Sequence, residues 1–205
     1  MDSPVRATLL FLVLFFAVAS FTYIPRHHVE IERKAQLANV LSGGDRKVSL
    51  DKRTKTSDCL LQGALPDHGC TPGAIFAEAT LERICVSGYT KTVRNVSTTL
   101  RKKVFAEYGV PYREPRGAYE VDHLIPLAIG GNNDIANLFP EPVQPFPGFR
   151  EKDVVEVYLR EEVCADRVAL SVAQESIARD WLSIFNNIPQ ETITRIKAKY
   201  RNWSN

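Results

Sequence analysis

The sequence lacks the short motifs that identify several common classes of hydrolase and metal-binding domain. It contains no His-Glu-x-x-His pair and no Gly-x-Ser-x-Gly turn, which argues against two widespread hydrolase mechanisms. Its four cysteines include no Cys-x-x-Cys pair, which argues against a zinc site built from thiolates. Internal repeats, low-complexity tracts and base-reading modules such as a helix-turn-helix are also missing. The net charge of +2 is too small to indicate a polyanionic partner, so any such argument must rest on local charge.

The composition is that of one globular domain with a substantial core. Of the 205 residues, 44% are apolar and 24% are charged. The N-terminus differs, because residues 7–24 are uncharged, rich in Leu, Phe and Val, and include the small-x-small pattern Ala17-Val18-Ala19. Residues 1–24 are therefore predicted to be a signal peptide or, if uncut, a membrane anchor. Either alternative exports the folded part, to the periplasm or outside the cell, and contact with a membrane is expected only if the segment stays uncut.

The cysteines Cys59, Cys70, Cys85 and Cys164 are an even number in a chain that is expected to be exported. Such a count favours two disulfides. Three pairings are possible, and the sequence does not choose among them. Cys59 and Cys70 flank a short loop and are easily bridged, which would leave Cys85 to pair with Cys164.

The rest of the chain divides into a polar stretch and a folded domain. Residues 25–57 are polar and charged with little apolar periodicity, and they are predicted to be a linker. Residues 58–205 are the predicted domain. Within it, Ile84-Cys85-Val86 predicts a short strand, and Ser97 is predicted to cap a helix that runs to about Tyr108.

Two strands and three helices are predicted further along the chain. Tyr119–Leu127 has the character of a strand, Gly130-Gly131 that of a turn, and Asn137–Phe139 that of a second strand. Residues 140–148 hold four prolines and are predicted to be loop alone. The helices are predicted over Glu151–Cys164, from a capping box at Ser171 onward, and over Gln190–Tyr200. A helix, then strands, then helices indicates the α+β class.

An Asp-His pair interrupts the first of these strands. Neighbouring strand residues point to opposite faces, so Asp122 and His123 cannot both face the core. The pair opens the run Asp-His-Leu-Ile-Pro, which is followed by the Gly-Gly turn, by Asn137-Leu138 and by a helix. This order resembles the HNH, or ββα-metal, nucleases, and within them an exported bacterial branch. The resemblance covers residues 119–158.

The resemblance implies a fold and a chemistry. It implies a ββα-metal core at about residues 119–164 and hydrolysis of phosphodiester bonds with a divalent metal ion, for which Mg²⁺ is the expectation. It assigns His123 as the general base, Asp122 as a metal ligand, and Asn137 as the residue whose amide holds the Gly-Gly loop and so orients the histidine. Such chemistry needs an activated water and neutralisation of the phosphate charge. A nucleic acid is then the expected partner, DNA or RNA, and no small-molecule cofactor is expected.

The chain departs from the family pattern at the third signature position. The family has His or Asn on the helix, whereas this helix begins Gly-Phe-Arg-Glu-Lys-Asp. Lys152, Asp153 and Glu156 are the candidates: Asp153 as a second metal ligand, Lys152 as a contact to the phosphate. Lys152 and Glu156 are four residues apart on one helix face, and they could also simply pair in solvent. The departure leaves a second hypothesis open, a non-catalytic nucleic-acid-binding protein that retains the fold.

A basic segment gives independent support for a nucleic-acid partner. Between Arg83 and Ala106 there are six basic residues and no acidic one. Such a segment suits a phosphate backbone that is bound without sequence preference. An ordinary solvated helix face is the alternative for the last three. The predicted contacts are Lys91, Arg94, Arg101, Lys102 and Lys103.

Overall fold

The computed structural model describes residues 35, 37–42, 49–112 and 115–200. The predicted signal peptide or anchor lies outside the described residues, as does much of the predicted linker. Over the described ranges, no helix combines the length and the apolar character needed to cross a membrane. The described part of the predicted linker packs on the domain, since Leu41 is buried and Arg53 pairs with Glu107. The packed unit therefore begins upstream of Ser57.

A two-stranded antiparallel sheet lies at the centre of the fold. Strand β1 spans Tyr119–His123, strand β2 spans Leu138–Pro142, and the pairing runs from His123 opposite Leu138 to Tyr119 opposite Pro142. With the helices, this sheet gives the predicted α+β class. The first strand is shorter than expected, because a 3₁₀ turn at Leu127–Ile129 follows Pro126.

The prediction of loop alone from residue 140 onward is wrong for residues 140–142. Pro140 and Pro142 belong to β2, where they alternate with Glu141. The Leu124 amide donates to the Asn137 carbonyl at 2.8 Å, so Leu124 and Asn137 are a hydrogen-bonded pair. Hydrogen-bonded and non-hydrogen-bonded pairs alternate along an antiparallel ladder. Both prolines therefore occupy non-hydrogen-bonded positions, where the strand needs no N–H.

Six helices are labelled here in chain order. They are α1 Leu81–Ile84, α2 Tyr89–Val93, α3 Thr98–Glu107, α4 Phe149–Cys164, α5 Leu170–Asn187 and α6 Gln190–Lys199. The strand predicted at residues 84–86 is wrong, because Ile84 ends α1; three apolar residues do not distinguish helix from strand by periodicity. The cap predicted at Ser97 is confirmed, since its hydroxyl accepts a hydrogen bond from the Leu100 amide at 3.1 Å.

Helix α5 differs from its prediction at its start and is broken in the middle. It begins after Ala169 without a side-chain cap, so the capping box predicted at Ser171 is wrong. At Asp180 the backbone leaves the helical region (φ −166°, ψ 89°). The Asp180 carboxylate accepts a hydrogen bond from the Ser183 amide at 3.1 Å, and so caps the second half. Trp181, the next residue after the break, is fully buried in the core.

Two disulfides cross-link the domain. They join Cys59 to Cys70 and Cys85 to Cys164. Of the three possible pairings, this is the one favoured by the short loop between Cys59 and Cys70. The second bridge links the end of α1 to the end of α4. Two disulfides are compatible with a secreted protein, because such bonds persist in oxidising surroundings. The main apolar cluster combines Ile84, Phe139, Val155, Leu159, Ile177 and Trp181 with their neighbours.

Candidate functional site

The two faces of the β1–β2 hairpin have different chemistry. Side chains alternate along a strand, so Glu120 and Asp122 share one face, and the register places Glu141 directly opposite Glu120. Carboxylate oxygens of these three residues lie within 4.8 Å of one another. We call Glu120, Asp122 and Glu141 the charged face.

The other face of the hairpin is apolar. It carries Tyr119, Val121 and His123, and the Tyr119 ring packs edge-on against Phe105 of α3 with centroids 6.4 Å apart. His123 is only 2% exposed. Burial lowers the pKa of His123 to about 4, although the negative charge on Asp122 acts in the opposite direction. The imidazole is therefore neutral at neutral pH, which is the form that accepts a proton.

Asn133 fixes which ring nitrogen of His123 carries the hydrogen. Its Nδ2 donates to the Val93 carbonyl at 2.7 Å, and its Oδ1 accepts from the Asn95 amide at 3.1 Å, so the amide has one possible orientation. The same Oδ1 lies 3.2 Å from His123 Nε2. An acceptor there requires Nε2–H, which leaves the lone pair on Nδ1. That Nδ1 lies 4.0 Å from Asp122 Oδ1, too far for a hydrogen bond.

The loop between the strands is held by the side chain of Asn137. Its Oδ1 accepts from the Ile125 amide at 2.8 Å, and its Nδ2 donates to the Ile125 carbonyl and to the Asn132 carbonyl, each at 2.9 Å. Gly131 makes this approach possible, because a Cβ there would lie 1.8 Å from the Ile125 carbonyl oxygen. These contacts fix the backbone immediately after His123.

Lys152 is a fully buried ammonium at the centre of the charged face. Its Nζ donates to Asp122 Oδ2 at 2.6 Å, to the His123 carbonyl at 2.7 Å and to Glu156 Oε1 at 2.5 Å. Burial alone would lower the pKa of Lys152, but the carboxylates of Asp122, Glu156 and Glu141 hold it well above the ordinary value. Burial would likewise raise the pKa of Asp122, yet Lys152 and then His123 hold it well below its usual range. Asp122 is therefore ionised at neutral pH.

A polar cleft of about 590 Å³ opens beside the charged face. Its lining includes acidic side chains of β1 and α4 together with three arginines: Glu120, Asp153 and Glu156, with Arg94, Arg150 and Arg160. Burial, and then the charge on Asp122, raises the pKa of Asp153 to about 7. Burial, and then the charges on Asp122 and Asp153, raises the pKa of Glu156 to about 8. Carboxyl groups with strongly raised pKa values in a cleft mark it as a candidate functional site.

The structure brings most of the predicted site residues together. Asp122, His123 and Lys152 are in mutual contact, and Asn137 holds the adjoining loop. Asp153 lines the cleft and interacts electrostatically with Asp122. Lys152 is fully buried with its ammonium bonded inside the protein, so it is placed to hold Asp122 and His123 rather than to meet a phosphate.

The predicted basic contacts are spread over two elements. Lys91 lies on α2, and Arg94, which follows it, lines the cleft. Arg101, Lys102 and Lys103 lie on α3, where Lys102 and Lys103 are exposed.

Sequence reasoning missed five residues of this site: Glu120, Asn133, Glu141, Arg150 and Arg160. Glu120 had a signal, because it stands two residues before Asp122 and so shares its face of the strand. The position of Glu141 depends on strand register, and that of Asn133 on contacts with residues 93–95. Neither can be inferred from neighbours in the sequence.

Comparison with known proteins adds no relative to this geometry. No protein-family model matches the chain, and no curated protein and no solved structure matches it.

Proposed function

We propose that this chain is an exported, metal-dependent nuclease that hydrolyses phosphodiester bonds of DNA or RNA with little sequence specificity. One observation carries the proposal: His123 is neutral, has its Nδ1 lone pair set by Asn133, and lies beside the ionised Asp122. The order of β1, β2 and α4 supports the ββα-metal core that the HNH resemblance implies. The raised pKa values in the adjoining cleft support a polar, charged substrate.

The histidine would act as the general base. A water molecule gives its proton to Nδ1 of His123 while its oxygen bonds to the phosphorus atom. The bond from phosphorus to one ester oxygen breaks, and the leaving alkoxide takes a proton from solvent. Asp122, 4.0 Å from Nδ1, stabilises the imidazolium that forms. The products are one phosphomonoester end and one hydroxyl end.

The donor set fits a hard divalent cation. Asp122 uses Oδ2 for Lys152 and keeps Oδ1, and the neighbouring Glu120 and Glu141 add carboxylate oxygens, which Mg²⁺, Mn²⁺ and Ca²⁺ prefer. When bound, such an ion would neutralise charge on the phosphate and on the leaving oxygen. Lys152 keeps the carboxylate of Asp122 and the backbone of His123 in fixed positions for this task.

The phosphate backbone would lie across the arginines of the cleft. Arg94, Arg150 and Arg160 present guanidinium groups, which bind phosphate oxygens in pairs. Contacts of this kind are independent of base sequence. The basic residues of α2 and α3 would extend the same track.

The test is cleavage of plasmid DNA and of RNA by the oxidised protein in Mg²⁺, Mn²⁺ or Ca²⁺, and in EDTA. We expect cleavage of at least one nucleic acid in Mg²⁺ or Mn²⁺, no cleavage in EDTA, and none by the His123→Ala variant. A protein that binds nucleic acid in every ion and never cleaves it would contradict the proposal. That result would favour the alternative, a non-catalytic nucleic-acid-binding protein.

A further inference from the structure

The charged face of the hairpin and the helix beside it carry more carboxyl groups than the cations that pair with them. Glu120 and Glu141 are directly opposite on paired strands, a placement in which like charges destabilise the pair. Asp122 adds a third carboxylate on the same face, and Asp153 and Glu156 of α4 lie close enough to interact with it electrostatically. Lys152 lies within ion-pairing distance of three of them, Asp122, Glu141 and Glu156.

Glu141 is the member of this cluster that the protein leaves without a hydrogen bond. It is 0% exposed, and neither of its carboxylate oxygens accepts a hydrogen bond from a described residue. Lys152 Nζ lies 3.8 Å from Glu141 Oε2, beyond hydrogen-bonding distance, and its short bonds go to other acceptors. A buried carboxyl without hydrogen bonds is costly in either protonation state, so its retention at this position calls for a partner.

The spacing of the three carboxylates suits a bound ion. Their oxygens lie within 4.8 Å of one another, and two oxygens on opposite sides of a Ca²⁺ ion are about 4.6–5.2 Å apart, twice the usual bond length. Mg²⁺, with bonds of about 2.0–2.1 Å, would draw the oxygens closer together. Glu120 is exposed, which gives the ion a route from solvent.

We propose that Glu120, Asp122 and Glu141 form a binding site for one divalent cation on the charged face of the hairpin. The ligands then come from the two strands, and Asp153 of α4 is not among them. Lys152 lies against the site and holds Asp122 Oδ2, so the ion takes Asp122 through Oδ1. The catalytic role of this site rests on the proposed nuclease function, whereas the binding of the ion does not.

The test is calorimetric titration of the full, oxidised protein with Ca²⁺ and with Mn²⁺, without nucleic acid. We expect one site in the wild type and a loss of affinity of more than about tenfold in Glu141→Gln and in Glu120→Gln, since even loss of an outer-shell partner costs about 10–100-fold. Asp153→Asn is the matched variant for the rival ligand set and should lose less affinity than either ligand variant, because it removes a neighbouring carboxylate and not a ligand. Exposed Glu175→Gln is the neutral control and should bind like the wild type. Thermal unfolding of each metal-free variant checks the fold. Glu141→Gln should unfold no earlier than the wild type, because it replaces a buried carboxyl without hydrogen bonds by a side chain of the same shape.

The two proposals fail separately. Equal binding by Glu141→Gln and the wild type, or a loss of binding in Asp153→Asn alone, would overturn the cation site and leave the nuclease proposal intact. A protein that binds Ca²⁺ through Glu120 and Glu141 but cleaves no nucleic acid in any ion would support the site and overturn the nuclease.

Discussion

The two faces of the β1–β2 hairpin are built from alternate residues of the same strands, yet they provide opposite environments. On the apolar face, Tyr119 packs against Phe105 and His123 is buried without charge. On the charged face, Asp122 is held ionised by the ammonium of Lys152. A proton-accepting imidazole and a cation-binding carboxylate need different surroundings, and a one-residue step along a strand provides both.

The largest expected effect comes from the apolar face. His123→Ala should reduce the cleavage rate about 10²–10⁴-fold, because loss of a general base typically costs that much. Cleavage of a fluorescent oligonucleotide under single-turnover conditions measures the rate, with thermal unfolding and nucleic-acid binding as controls for the fold. A folded variant with a near-normal rate would remove His123 from the mechanism.

The charged face should respond in stability. Lys152→Met leaves Asp122 and Glu156 without their cation, and removal of one partner from a buried ion pair costs about 3–5 kcal/mol. The free energy of unfolding from urea titration measures it. Lys197→Met is the matched control, because its pair with Glu151 is half-exposed and should contribute no more than about 1 kcal/mol. Equal losses in the two variants would show that the network around Lys152 contributes no more than a surface pair.

A smaller effect tests how the apolar face sets the histidine tautomer. Asn133→Ala removes the acceptor for His123 Nε2–H, a bond of about 1 kcal/mol, so the rate should fall by roughly fivefold or more. The variant also loses the bonds of Asn133 to Val93 and Asn95, which hold the residue in place. Nitrogen NMR of the imidazole should change from pure Nε2–H to a mixture of tautomers, a change that a merely structural role would not produce. Asn133→Asp retains an acceptor for Nε2–H and should restore the tautomer. A single tautomer in Asn133→Ala would mean that another group sets it.

The smallest expected effect concerns binding outside both faces. Replacing Lys91 and Arg94 with Ala should lower the slope of log affinity against log salt by about 0.9 per lost phosphate contact on duplex DNA. Measured with His123→Ala protein to prevent cleavage, the loss should be the same for all DNA sequences. Lys102 and Lys103, exposed on α3, are the comparison pair. A slope that changes only when those two are replaced would place the phosphate track on α3.

Local patterns predicted the parts of the site that depend on neighbours in the chain. Asp122 and His123 follow from the strand pattern, and the Gly-Gly turn with Asn137 follows from the loop. Glu141 was missed because the prolines around it indicated loop, whereas they lie at ladder positions that need no N–H. Asn133 was missed because its role depends on contact with residues 93–95, about forty positions away.

The same limit explains the errors in secondary structure. The run of three apolar residues at 84–86 predicted a strand that includes Ile84. Ile84 instead ends a single-turn helix, which is held by packing and by the disulfide at Cys85. Ser171 has the composition of a capping box, but the helix already begins at Leu170. Tertiary contacts decide such short elements, and propensity over a few residues does not.

The bridge between Cys85 and Cys164 makes the candidate site part of a closed covalent ring. Both strands, the loop between them and all of α4 lie inside that ring, together with His123, Lys152 and the three arginines of the cleft. A protease that cuts the chain once anywhere between residues 86 and 163 opens the ring. The two resulting fragments stay joined through the disulfide. The nicked molecule keeps its mass on a non-reducing gel and separates into two fragments only after reduction.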